Sequence, residues 1–173
     1  INYCYRVVAW FVNGVESYAS NETCAYLKRD VPIITHVSNN RLDLQSGHVF
    51  LDWAKPTELD TVQYPGPYLY VVYRNNGLSW SNPVKLVTYE GLNDTVYYDN
   101  DINLNTNYGP YDYRIDLLSA TIGFIGSSQE ASSVFLQIQP YNKRLKLYWN
   151  PQVPWINRQF VIYRQLPGQS QFD

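Results

Sequence analysis

Few side chains in this chain could do covalent, metal-binding or acid–base chemistry: two cysteines, two histidines and fifteen acids. Cys4 and Cys24 stand 20 positions apart. They could form a disulfide or remain two separate buried thiols, but two ligands alone do not make a structural zinc site. His36 and His48 would need a nucleophile and an orienting carboxylate, or a third ligand, to act in catalysis or hold zinc. Both fall on the solvent-alternating positions of strand-like runs and read as surface residues. Two carboxylates suffice for glycoside hydrolysis. Glu58 and Asp60 sit in a Pro-rich loop, and Asp94, Asp99 and Asp101 flank the short run Val96-Tyr97-Tyr98. Asp99-Asn100-Asp101 is rich enough in oxygen to hold calcium at a turn, but it lacks the Gly and distal Glu of an EF-hand loop. Asp and Asn serving the backbone of a turn is the simpler reading. No Gly-x-Ser-x-Gly, His-Glu-x-x-His or P-loop pattern occurs. The expectation is a non-enzymatic chain with no cofactor and no metal.

The elements that carry these residues are strands. Seventeen Tyr, six Phe and five Trp make the 173 residues 16% aromatic, whereas charged residues are only 16%, below the roughly 25% of ordinary domains. Strand formers and turn formers dominate, and 45% hydrophobic residues are too many for a disordered chain. A net charge of −2 leaves no basic footprint for nucleic acid. No apolar run approaches the length of a membrane helix, and no charged-then-apolar start resembles a signal peptide. Met is absent and the chain opens at Ile1, which suggests a processed or trimmed chain.

Internal repeats organise these strands. Tyr3-Cys4-Tyr5-Arg6-Val7-Val8-Ala9 answers Tyr111-Asp112-Tyr113-Arg114-Ile115-Asp116-Leu117. His48-Val49-Phe50-Leu51-Asp52-Trp53 answers Arg144-Leu145-Lys146-Leu147-Tyr148-Trp149. Tyr70-Val71-Val72-Tyr73-Arg74 answers Phe160-Val161-Ile162-Tyr163-Arg164. The Tyr-x-Tyr-Arg element comes first and returns late in the middle copy, and the Trp element appears in the middle and again near the end. The chain therefore reads as the end of one module (1–30), a complete module (31–139) and the beginning of a third (140–173). Each copy alternates with period two, and Ser46-Gly47, Pro65-Gly66-Pro67, Asn75-Asn76-Gly77, Asn93-Asp94 and Gly109-Pro110 mark turns. About seven short strands in about 100 residues read as a β-sandwich. In the complete copy Cys4 and Cys24 are replaced together, by Asp112 and Ser133, which is the pattern of a bonded pair. Such a bridge also implies an oxidising compartment.

Trp53 before Ala-Lys-Pro, followed by Tyr70–Arg74, resembles the B and C strands of a fibronectin type III module. Tyr111-x-Tyr-x-Ile-x-Leu, with Gly123, Ser127-Ser128 and Ala131-Ser132-Ser133, resembles its F strand, F–G turn and G strand. Tyr64-Pro65-Gly66-Pro67-Tyr68, Pro56-Thr57-Glu58-Leu59-Asp60, Ala131–Leu136 and Val153-Pro154-Trp155, taken with Tyr3–Ala9, resemble fibronectin III-like modules of large exported Bacteroidetes proteins. Those proteins carry a gliding-motility-associated C-terminal domain and leave by the type 9 secretion system; no sorting domain is present in this sequence. The resemblance implies an all-β chain of tandem fibronectin type III-like (immunoglobulin-like) sandwiches, one complete and two partial. It implies export through the periplasm to the cell surface and a spacer role linked to gliding motility or adhesion. Its partners would be neighbouring modules of the same long chain, and outer-membrane secretion or gliding components. A carbohydrate- or protein-binding module of an adhesin, or an accessory to a hydrolase, is the alternative. A partner-bound subunit of a secretion or gliding assembly is a further one.

Several residues are singled out on these grounds. Trp53, Trp149, Tyr3, Tyr111, Tyr73 and Tyr163 are expected to determine the fold, with Tyr111 and Tyr3 as tyrosine-corner residues. Trp80, Tyr89 and Trp155 are candidates for exposed or inter-module contacts. Asp60-Thr61-Val62 and Asp94-Thr95-Val96 resemble the O-glycosylation sites of Bacteroidetes exported proteins, at Thr61 and Thr95. Asn21-Glu22-Thr23 and Asn93-Asp94-Thr95 fit the eukaryotic N-glycan acceptor. With only Lys28-Arg29-Asp30-Val31-Pro32 and Pro140-Tyr141-Asn142 as junctions and no Gly/Ser-rich linker, the array is expected to be packed rather than flexible. The partial modules expose strand edges, and one chain's first strands could complete another chain's last ones.

Overall fold

A computed structural model describes residues 2–26 and 31–172, so most of the junction Lys28–Pro32 lies outside the described residues. All twelve of its regular elements are β-strands. Two face each other as a hairpin, β1 (Asn2–Tyr5) and β2 (Thr23–Tyr26). The next eight strands build two sheets. One has the order β3 (Ile33–Arg41), β4 (His48–Ala54), β7 (Val96–Asp99). The other runs β10 (Ala131–Ser132), β8 (Tyr111–Ser119), β5 (Tyr68–Asn76), β6 (Val84–Glu90), and β9 (Gly123–Ser127) also pairs with β8. Every pairing is antiparallel. This is the two-sheet antiparallel sandwich that the strand count predicts. A second hairpin, β11 (Leu136–Tyr141) and β12 (Arg144–Trp149), follows it.

Period-two alternation sets the core. Val49, Leu51 and Trp53 point inward from β4, and Tyr111, Tyr113, Ile115 and Leu117 from β8; all are buried. On β3 the buried residues are Ile34 and Val37, three apart rather than two, because the register shifts between Ile34 and His36. Trp53 meets Tyr70 edge-on at 5.7 Å across the two sheets. Leu104, from the loop between β7 and β8, plugs the core completely. The Tyr111 hydroxyl holds that loop, accepting from the Asn105 amide at 2.9 Å and donating to its carbonyl at 3.2 Å. That is the geometry of a tyrosine corner.

Inward parity also brings a charge into the core. Arg74 follows Tyr70 and Val72 on the same face of β5, and its side chain is only 10% exposed. Asp99, at the end of β7 in the opposite sheet, takes the guanidinium with both oxygens at 2.9 and 2.7 Å. Asp101 adds a contact at 3.1 Å, and the Tyr113 hydroxyl donates to Asp99 at 2.9 Å. Burial pulls the Arg74 pKa down, but the Asp99 and Asp101 contacts outweigh it and leave the pKa raised. Tyr113 is pushed well above the usual tyrosine range by burial and by the Asp99 charge.

Three sequence expectations differ in detail. Asp112 lies opposite Ser132, not Ser133; the spacing of the two hairpins is the same, so Cys24 corresponds to Ser132. The run Phe160–Arg164 forms no strand, since among the described residues nothing pairs with it. Leu136–Tyr141 is a single strand crossing the 139/140 boundary.

Asp99→Asn would leave a buried guanidinium poorly compensated and should lower unfolding stability by about 3–5 kcal/mol in urea titrations. Replacing the pair by Arg74→Met with Asp99→Leu should cost clearly less, because no charge is left stranded. Equal losses in the two variants would contradict the role assigned to the pair.

Candidate functional site

The sequence-derived candidates do not converge. Trp53 and Tyr111 are core residues, while Tyr73 lies half-buried on the outer face of β5. There the Arg114 guanidinium sits over the Tyr73 ring at 5.7 Å and over the Trp80 ring at 4.7 Å. Tyr89 packs on Trp53 at 6.1 Å and donates its hydroxyl to the Val96 carbonyl at 3.3 Å. Trp155 packs against the sandwich core and donates from its ring nitrogen to Asn157 at 3.1 Å. Among the described residues no ring contact joins any two of Trp80, Tyr89 and Trp155, so they form no sugar-stacking row. Trp149 is half-buried against Phe160, and Tyr3 and Tyr163 are exposed.

The other candidates have local roles. Asp99 and Asp101 are taken up by Arg74, whose guanidinium stands where a cation would. Asp60 accepts from the Val62 and Gln63 amides at 3.0 and 2.9 Å, an Asx turn that leaves Thr61 exposed. Thr95 is half-buried and its carbonyl receives the Trp53 amide at 3.0 Å. His36 stands edge-on to Phe50 at 5.2 Å on the exposed face of the first sheet. Cys4 and Cys24 face each other in register across β1 and β2 and are joined by a disulfide. Glu22 lies beside them, but sulfurs bonded to each other are not thiolate ligands.

What the described residues do assemble is a junction at the free edge of β10. The segment after β12 returns to that edge. The Ser132 amide donates to the Gln152 carbonyl at 2.6 Å, and the Gln152 amide donates to the Ser132 hydroxyl at 2.8 Å. The Gln152 side chain donates to Glu130 at 2.8 Å. A strand edge that would otherwise offer open hydrogen bonds is thus covered. On the β3 side, the Asn39 amide group donates to the Val134 carbonyl at 3.2 Å and ties down the connection into β11.

Asp112 lies beside this junction, opposite Ser132 on one side and Asn75 on the other. It has no exposed surface, and among the described residues neither carboxylate oxygen accepts a hydrogen bond of good geometry, the Tyr113 amide being close enough only for a weak one. Burial first, and the neighbouring Glu130 charge second, raise its pKa to about 7, against a small opposing pull from the Tyr113 amide. Alternation along β8 assigns Asp112 to the outer face, and it is the cover over that face that the local pattern does not reveal.

No protein-family model matches the chain, and no curated protein matches it. Among solved structures, the solution structure of the fibronectin type-III domain of human fibronectin type III domain containing protein 3 is similar, with 15% identity and a TM-score of 0.41 over 62% of this chain and 86% of that one.

Two outcomes follow from these sites. The raised Asp112 pKa means that the folded chain holds a proton that the unfolded chain has lost. The contribution of Asp112 to stability is fully present below the ordinary carboxylate range and is lost as pH rises through about 7. Asp112→Asn should therefore raise the melting temperature at pH 8, and the gain should shrink towards acid; a gain independent of pH would refute the assignment. Reducing the disulfide, which closes a loop of sequence separation 20, should weaken the first hairpin by about 3 kcal/mol. Amide exchange should then speed up in residues 2–26 and stay unchanged in β8.

Proposed function

We infer that the chain is a structural spacer built from fibronectin type III-like modules in series: the end of one (1–30), a complete one (31–139) and the beginning of a third (140–173). Strand pairing argues for starting the third at β11 rather than after residue 139. The observation that carries the spacer reading is the junction at β10. One backbone bond and one amide-to-hydroxyl bond between Ser132 and Gln152, the Gln152–Glu130 contact and the packing of Trp155 on the sandwich core support a stiff connection where a flexible linker would give none. The mechanism is geometric. Sandwiches joined in this way transmit direction along the chain and hold whatever follows at a set distance and angle.

The divergence of Trp80, Tyr89 and Trp155 favours this role over sugar binding. The disulfide fits an oxidising, exported setting. In the setting suggested by the sequence resemblance, the array belongs to a surface protein of the Bacteroidetes exported by the type 9 route, serving gliding or adhesion. No helix among the described residues is long and apolar enough to cross a membrane.

NMR relaxation tests the spacer reading. Amides of residues 136–155 should tumble with the same correlation time as those of β8. Gln152→Pro, which removes the amide that donates to Ser132, should uncouple the two and shorten the correlation time of β11 and β12. Independent tumbling in the unaltered chain would rule out a rigid spacer.

A further inference from the structure

Three attachments surround Asp112, and they differ in strength. On one side β5 pairs with β8 from Tyr68 to Asn76, with Asn75 opposite Asp112. Asn75 is committed elsewhere: its side chain donates to the Gly77 and Ser79 carbonyls at 3.1 and 2.7 Å and accepts from the Asn82 amide at 3.2 Å. On the other side β10 buries Ala131 in the core. Just beyond it Ser133 is bonded to Tyr111 twice, amide to carbonyl at 2.9 Å and hydroxyl to amide at 3.1 Å. The third attachment is the segment at Gln152, which forms no strand and is half-buried. It is fixed to β10 through the Ser132 amide, the Ser132 hydroxyl and the Glu130 carboxylate. Of the three, Gln152 is the one that parts without drawing a buried side chain out of the core.

Glu130 links Asp112 to that weakest attachment. It accepts from the Gln152 side chain at 2.8 Å, and its charge bears on Asp112. The other charged groups nearby are engaged. Arg114, the next outward residue on β8, donates to Asp116 at 3.0 Å and covers the Trp80 and Tyr73 rings. Asp116 also accepts from the Ser127 hydroxyl at 2.7 Å. On β5 the outward neighbours are Asn75 and Tyr73, and Pro151–Trp155 carries no ionisable side chain. With Asp112 protonated, a single negative charge stands at the junction, and Gln152 satisfies it. When Asp112 ionises, two stand there with little water to screen them. Asp112 is fixed within β8, so Glu130 is the group that moves away, and it does so by giving up Gln152.

We propose that Glu130 and Gln152 form a proton-controlled clasp on β10, shut while Asp112 is protonated and released when Asp112 ionises. Shut, it fixes the segment after β12 to the sandwich. Released, Ser132 and Gln152 exchange their mutual hydrogen bonds for water. Burial and the Glu130 charge hold the Asp112 proton up to about pH 7, whereas an opened, hydrated Asp112 loses it in the ordinary carboxylate range. Opening therefore releases a proton and is favoured as pH rises between those limits. The proposal rests on the junction behind the spacer reading and adds a control to it.

Amide exchange over a pH series, corrected for the intrinsic pH dependence of exchange, reads the opening at Ser132 and Gln152 in the whole chain. The opening constant should rise by up to about tenfold per pH unit from the ordinary carboxylate range and level off above about 7. Asp112→Asn should make it flat. Glu130→Gln, which keeps an acceptor for Gln152, should leave a smaller rise. The Ile115 amide, which donates to the Ser128 hydroxyl within the sandwich, should open less often than either at every pH. A pH-independent opening, or an unchanged rise in either variant, would overturn the proposal. So would equal opening at Ser132 and Ile115, since that means unfolding of the whole sandwich. A clasp that stays shut at every pH leaves the relaxation test of the spacer untouched, whereas independent tumbling at acid pH would remove the spacer itself.

Discussion

The ion pair between Arg74 and Asp99, in which both carboxylate oxygens accept from one guanidinium nitrogen, is the constraint on which the sandwich depends. It joins the second sheet to the first through side chains that are almost entirely out of water. A buried charge tolerates little displacement, because moving either partner exposes the other to an apolar interior. Once Arg74 is fixed, the face of β5 that turns inward is fixed as well, and Tyr70 and Val72 enter the core with it. Asp99 fixes the end of β7 in the same way. Tyr113 donates to Asp99, so β8 is included in the arrangement, and the strand that contributes more core residues than any other is held to the pair by a hydrogen bond rather than by packing alone.

Much of this fold is legible in the sequence, and for a physical reason. Strands write their facing into a two-residue alternation, and similar runs recur along this sequence. Trp53, Tyr111 and the two cysteines stand out on those grounds. Arg74 and Asp99 are also readable in principle, since each continues the inward parity of its strand behind Tyr70 and Tyr97. Opposite charges on inward positions of facing strands are a signature of an inter-sheet pair. Leu104 is harder to find, because it comes from a loop with no periodicity. Asp112 illustrates the limit most clearly. Its parity assigns it correctly to the outer face, but parity does not say whether an outer face meets water, and Asp112 has no exposed surface. The non-strand conformation of Phe160–Arg164 has the same cause in reverse, since a strand-like run needs a neighbour before it becomes a strand.

The junction at β10 pairs a benefit with a cost. Covering a free strand edge removes a template for unwanted pairing. Nearby, however, the Asp112 carboxylate is deprived of water and left without a well-formed hydrogen bond. An apolar residue at position 112 would fit such a cover more comfortably.

The disulfide acquires a different meaning if such a chain carries tension. Force entering near Cys4 passes through the sulfur–sulfur bond and leaves near Cys24, so the intervening loop is bypassed. At about 3.3–3.6 Å per residue, a separation of 20 residues removes on the order of 70 Å of extensible length. Asp112 and Ser132 hold the equivalent positions in the complete unit without a covalent bond. Under load, the unit without the bond would be the one able to lengthen.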